Sequence, residues 1–335
     1  MLLRRILLRL LQAVPTLAGV AVLVFVLVRV VPGDPIAMMI PPGASQEDVV
    51  RLHALYGLDK PILAQFWIWA AHALRGDFGI SISLHQGVAG LIASRLPATL
   101  ELVLLAAVIA IVLGVALAVI GTRFAGRAGE AAVDAASGLA LAVPDFVWGL
   151  GFIVIFGVAW PVLPISGRVD PTHALDLATN FTLIESLLRL RLSVAGEVLA
   201  HMVMPATALA LPLAAMIARV LKSSLAEQMA QDYVMLARVK GFSRARVILR
   251  EALRNAALPT VSLTGVQVTF LVGGTVLIER IFSYPGIGNL AIDAIINRDL
   301  PLIQGLILTF AAMFILINLV LDLSYAALDP RLRHA

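Results

Sequence analysis

Six long, nearly uninterrupted apolar stretches decide most of what this chain can become. They run at about 10–28, 98–120, 132–160, 202–220, 258–277 and 302–327. Each is close to or beyond the roughly 20 residues a helix needs to cross the hydrocarbon core of a bilayer. None alternates in the ten-residue blocks of a membrane barrel, so the expectation is helical. The chain is read as an all-α integral membrane protein of about six transmembrane helices. Composition agrees: 60 % of the 335 residues are hydrophobic and 14 % are charged, against about a quarter charged in soluble domains. One soluble core of this length would not hide so much apolar surface.

Orientation follows from the connecting segments. Residues 1–9, 122–134, 219–258 and 328–335 hold 15 Lys+Arg and 6 Asp+Glu; 32–97, 161–200 and 279–303 hold 9 and 12. Basic residues collect on the cytoplasmic side, which places both termini there. The net charge of +4 is accounted for by such anchoring and does not call for nucleic acid. Arg4, Arg5 and Arg9 precede the first apolar stretch, which no small-x-small site follows, so 1–31 is expected to stay as an uncleaved span. Residues 32–97 form an extracytoplasmic segment with short interfacial helices. One starts after Ser45 (Gln46 to Leu52), and another carries Phe66, Trp67 and Trp69, residues that favour the membrane–water boundary. The remainder, 98–335, is a five-helix core.

Several chemistries are excluded by what is missing. There is no cysteine, hence no disulfide, thiolate or Cys-ligated zinc. Gly-x-x-x-x-Gly-Lys-[Ser/Thr] does not occur, so no P-loop cradles nucleotide phosphates. His-Glu-x-x-His and Gly-x-Ser-x-Gly are absent as well, and the six histidines show no ligand spacing. No cofactor or metal is called for, and the chain is not expected to be an enzyme.

The most informative loop is 221–258. Asp232 is a good N-cap and Gly241 the preferred residue just past a helix end. Between them, Tyr233, Leu236 and Ala237 are assigned to one face and Val234, Met235 and Val239 to the other, with Arg238 and Lys240 beside them. A two-turn helix with apolar residues nearly all round does not hold in water; it needs a partner to bury it. Ser243 then caps an Arg-rich helix (Arg244, Arg246, Arg250, Arg254) expected to stop before Pro259.

The stretches Asp232-Tyr233-Val234, Ala237-Arg238-Val239-Lys240-Gly241 and Ala252-Leu253-Arg254-Asn255-Ala256-Ala257-Leu258-Pro259 resemble the ATPase-docking loop of binding-protein-dependent ABC importer permeases. The resemblance is closest to the dipeptide/oligopeptide/nickel branch. Arg29-Val30-Val31-Pro32-Gly33-Asp34-Pro35, Tyr56-Gly57-Leu58-Asp59-Lys60-Pro61, Gly76-Asp77-Phe78-Gly79, Arg95 to Leu102, Glu279 to Gly288 and Leu328-Asp329-Pro330-Arg331 are similar to that branch too, in the same order. The long segment after the first span is that of the B-type permease. Met235 and Leu236 stand where the general motif has Glu-Ala, so no carboxylate contact is assigned at Met235.

The resemblance implies a type I ABC importer permease fold in a bacterial inner (cell) membrane. It also implies four kinds of partner: a second homologous permease subunit, two ATP-binding subunits, an extracytoplasmic solute-binding protein and the lipid bilayer. The ATPase-docking residues are then Asp232, Tyr233, Leu236, Ala237, Arg238, Lys240, Gly241, Arg254, Asn255 and Pro259. Candidate gate or pathway residues are acids in or near the spans. Asp145, after Pro144, is open to three roles: capping a second half-helix, touching the partner permease, or touching substrate. Glu279, like Glu101, is open to gating the entrance or to snorkelling. Asp134 and Asp322 fall at cytoplasmic helix ends. The alternative is an ion-coupled secondary transporter, whose sign would be interrupted helices such as Pro144-Asp145 provides.

Overall fold

The computed structural model describes residues 2–30, 47, 60–170 and 177–328. Among them the structure is helical, and the only β pairing is an isolated bridge between Ile80 and Gly87. In chain order the helices begin with α1 (Leu2–Val30), α2 (Ile62–Leu74), α3 (Val88–Arg123), α4 (Ala128–Ala142) and α5 (Asp145–Ala159). There follow α6 (Thr182–Leu188), α7 (Leu192–Met229), α8 (Asp232–Val239), α9 (Arg244–Ile281), α10 (Ile287–Ile296) and α11 (Leu300–Leu328). The short helix expected at Gln46 to Leu52 lies outside the described residues but for Glu47.

By length and composition, α3, α7, α9 and α11 can each cross a membrane, and the bent pair α4–α5 makes a fifth span if counted as one. The apolar part of α1, Leu11–Leu27, falls short of the roughly 20 residues a span needs. The break between α4 and α5 sits where Pro144 interrupts the 132–160 stretch. Val143 is extended (φ −94°, ψ 123°), as the residue before a proline must be. The chain turns by 101° there. Two helices contain π-turns, Ile153–Ala159 at the end of α5 and Val247–Ala252 near the start of α9.

The chain divides into two compact units. In the first, made of residues 1–96 and 290–319, α1 packs on α2 through Phe25, edge-on to Phe66 with ring centres 5.2 Å apart. Asp299, fully buried, accepts hydrogen bonds from the hydroxyls of Ser81 (2.5 Å) and Ser83 (2.7 Å) and caps α11 at the Leu302 N–H. Burial alone would raise the pKa of this carboxyl, but the hydrogen bonds from Ser81 and Ser83 outweigh it and hold it low.

In the second unit, residues 97–289 and 320–335, α7 is the central element, packed against α9, α4, α5 and α6. Its buried residues include Ala206, Ala208, Ala210, Ala214, Ala215 and Ala218. Lipid supplies no hydrophobic drive between helices, so close packing of small residues does the work. Gly114 on α3 shows how close: a Cβ there would lie 2.6 Å from Ile217 Cγ2 and 2.8 Å from the Ala214 carbonyl.

Candidate functional site

The docking residues expected from sequence gather where α7, α8 and the start of α9 meet. Gln231 is the N-cap of α8 (φ −78°, ψ 150°), because its carbonyl takes the N–H groups of Val234 and Met235. Asp232 is therefore the first helical residue and not the expected cap. Its charge still faces the positive end of the helix. At the other end Gly241 has φ +80°. Phe242 N–H bonds the Ala237 carbonyl (3.2 Å) and Gly241 N–H the Arg238 carbonyl (2.9 Å), the paired bonds of a Schellman stop. Ser243 caps the next helix, accepting from Arg246 N–H at 3.4 Å. The Arg246 guanidinium lies 3.9 Å over the Phe242 ring, a cation–π contact that closes the turn.

The expected stop before Pro259 is not there: α9 runs through it to Ile281. Proline removes one N–H and crowds one carbonyl, and membrane helices tolerate that when neighbours support them. The face assignment of α8 is also corrected. Val234 and Ala237, three apart, share the inward face and are buried in a cluster with Ala118, Leu221, Leu225, Val247, Ile248, Ala252 and Ala256. Met235 (61 % exposed), Leu236 (54 %), Val239 (79 %) and Tyr233 face outward.

Polar bonds fix this small helix in place. Tyr233 OH donates to Gln228 Oε1 (2.8 Å) and accepts from Asn255 Nδ2 (3.2 Å), so two candidates 22 residues apart in sequence meet. Arg238 donates to the Met229 carbonyl at 3.3 Å, where the α7 macrodipole is negative. Arg244 does the same at the end of α3, reaching the Thr122 carbonyl at 3.1 Å. Lys240, Arg254 and Pro259 are exposed around the rim.

Glu279 lies at the far end of α9 and is fully buried, so snorkelling is excluded. Its Oε1 accepts from Thr99 OH (2.6 Å) and its Oε2 from Asn289 N–H (3.0 Å). Thr99 Oγ1 in turn accepts from Ile287 N–H (2.9 Å). The chain from Tyr284 to Asn289 wraps round this carboxylate so tightly that a Cβ on Gly286 would overlap it. The two motif stretches containing Thr99 and Glu279 are thus one structural unit. Glu101, also buried, binds Arg168 and accepts the N–H groups of Leu183 (3.2 Å) and Ile184 (2.9 Å) at the start of α6. Glu185 binds the segment before α6. The Thr179 hydroxyl and the Ala178 N–H lower its pKa to about 2. The organising roles of Thr99, Arg168 and Glu185 were missed in the sequence, because their partners lie far along the chain or in an irregular segment.

Asp145 is the first residue of α5, with Pro144 as N-cap, so it does not cap the half-helix from the expected position. Its Oδ1 accepts from Phe146 N–H at 2.7 Å. Its other oxygen lies against α9, 3.0 Å from where a Cβ on Gly274 would stand.

The family model described as "Binding-protein-dependent transport system inner membrane component" matches residues 110–334, and the corresponding N-terminal model matches residues 2–103. The chain is 40 % identical over 338 residues to the dipeptide transport system permease protein DppB of Escherichia coli (strain K12), covering 98 % of both chains. It is 39 % identical to the di/tripeptide transport system permease protein DppB of Pseudomonas aeruginosa (strain UCBPP-PA14), over 96 % of both. With the glutathione transport system permease protein GsiC of Escherichia coli (strain K12) the identity is 34 %, over 97 % of both. The helical membrane fold, the capped loop helix and these matches agree: the chain belongs to the family of inner membrane components of binding-protein-dependent transport systems.

Proposed function

We propose that this chain is the permease subunit of an ATP-driven importer for short peptides, supplying half of a translocation path completed by a second, similar permease. Both termini face the cytoplasm, α1 is the first of six spans, and the membrane is a bacterial inner membrane. An external binding protein delivers cargo, and two ATP-binding subunits dock beneath. With the family in hand, the ion-coupled alternative loses its ground.

The observation that carries the docking assignment is α8. Half of its apolar residues fill the permease's own core and the other half project from it, ringed by Arg238, Lys240 and Arg254. A patch of that kind marks a partner surface, and the buried half couples it rigidly to α3, α7 and α9. ATPase closure beneath α8 then moves these helices between inward- and outward-facing arrangements.

Leu236→Asp tests this. In an interface it strands a charge, which commonly costs about 3 kcal/mol or more, while membrane insertion is untouched. Pull-down should recover less ATPase with the variant, and peptide uptake should fall. Full ATPase recovery and uptake would show that α8 is not the docking element.

A further inference from the structure

Where α4 faces the end of α7, residues Val133, Asp134, Ser137, Ala218, Arg219 and Lys222 enclose a cavity of about 150 Å³. A space of this size takes a molecule about as large as benzene, hence one amino-acid-sized group. Its charges are only partly used. Lys222 Nζ binds Asp134 Oδ1 at 2.5 Å and Glu130 Oε1 at 3.0 Å. The other oxygen of Glu130 takes the Gly126 N–H at 2.7 Å. Among the described residues, the second oxygen of Asp134 and the guanidinium of Arg219 make no hydrogen bond or ion pair. Two opposite charges with open valences therefore line one small cavity.

We infer that this cavity binds a small zwitterion, an amino acid or a dipeptide. Its carboxylate lies on the fork of Arg219 and its ammonium on the outer oxygen of Asp134. An anionic lipid headgroup fits less well, because it would meet Asp134 and Glu130 as like charges. The inference rests on the peptide reading and deepens it. With the proposed orientation the cavity opens towards the cytoplasm, so its occupant is cargo already imported, or an amino acid released from it.

The test is equilibrium binding of radiolabelled dialanine to the assembled importer, purified without its external binding protein. Arg219→Ala is expected to weaken binding roughly tenfold or more, the usual effect of losing a charge-assisted pair, and Arg219→Lys to recover part of it. Asp134→Asn should weaken dialanine but leave N-acetyl-dialanine, which lacks the ammonium, unchanged. Equal affinity in wild type and Arg219→Ala overturns the inference. So does loss of co-purified phosphatidylglycerol in Arg219→Ala with dialanine binding intact, which makes the cavity a headgroup site. ATP-driven dialanine uptake by the wild type, with the binding protein restored, is measured alongside. Uptake without Arg219-dependent binding sinks this inference and leaves the peptide reading standing; absence of uptake sinks the peptide reading, and this inference with it.

Discussion

A carboxylate inside a membrane protein is costly unless its oxygens are occupied, and in Glu279 both are. One takes the Thr99 hydroxyl and the other the Asn289 N–H. Glutamine has the same shape but only one oxygen, so it must present an NH₂ to one of the two donors. Glu279→Gln is therefore expected to lose about 1–3 kcal/mol, the cost of leaving a buried polar group unmatched. A lower thermal unfolding midpoint of the purified complex is the check, and an unchanged midpoint would mean the bonds contribute nothing. Such a result bears on function as well, since a gate built on Glu279 would first have to release the Tyr284–Asn289 wrap. Asp145 differs: it is partly exposed and borders α9, where a moving helix would sense it.

Helices carry the next layer of meaning, and α8 is the shortest with a complete pair of ends. Its Schellman stop depends on Gly241 at φ +80°. A β-branched residue placed there costs about 1–2 kcal/mol, so Gly241→Val should loosen the turn between α8 and α9. Faster proteolysis in this loop, without loss of membrane insertion, is the expected result. The existence of α8 and its terminating glycine were legible because capping chemistry is local. Its inward face was not. Val234 and Ala237 turn inward because α3, α7 and α9 converge on them, and that convergence leaves no mark in eight residues. Pro259 misled for the same reason: its local preference is to end a helix, and packing overrides it. The spacing of Glu279 from Thr99, 180 residues, was equally silent.

At the scale of the molecule, long apolar runs made the membrane class and most of the spans plain, because lipid imposes one length on every crossing. The break at Pro144 was legible too, though not its angle of 101°. The arginine asymmetry makes a further prediction: green fluorescent protein fused after Ala335 should fluoresce in cells, and alkaline phosphatase fused there should be inactive. The reverse pattern would invert the proposed topology and, with it, the side on which α8 can meet an ATPase. The π-turn at Val247–Ala252 has a consequence for how such a chain tolerates insertion and deletion. One residue of an α-helix occupies about 100° of azimuth and 1.5 Å of rise, and a π-turn is the trace of one residue held in surplus. Removing it would rewind α9 as a regular helix and turn everything beyond it by roughly a quarter revolution, carrying Glu279 away from Thr99. The phase between the docking end and the membrane end of α9 is thus recorded in a single surplus residue, which makes this short segment one where substitutions are survivable and length changes are not.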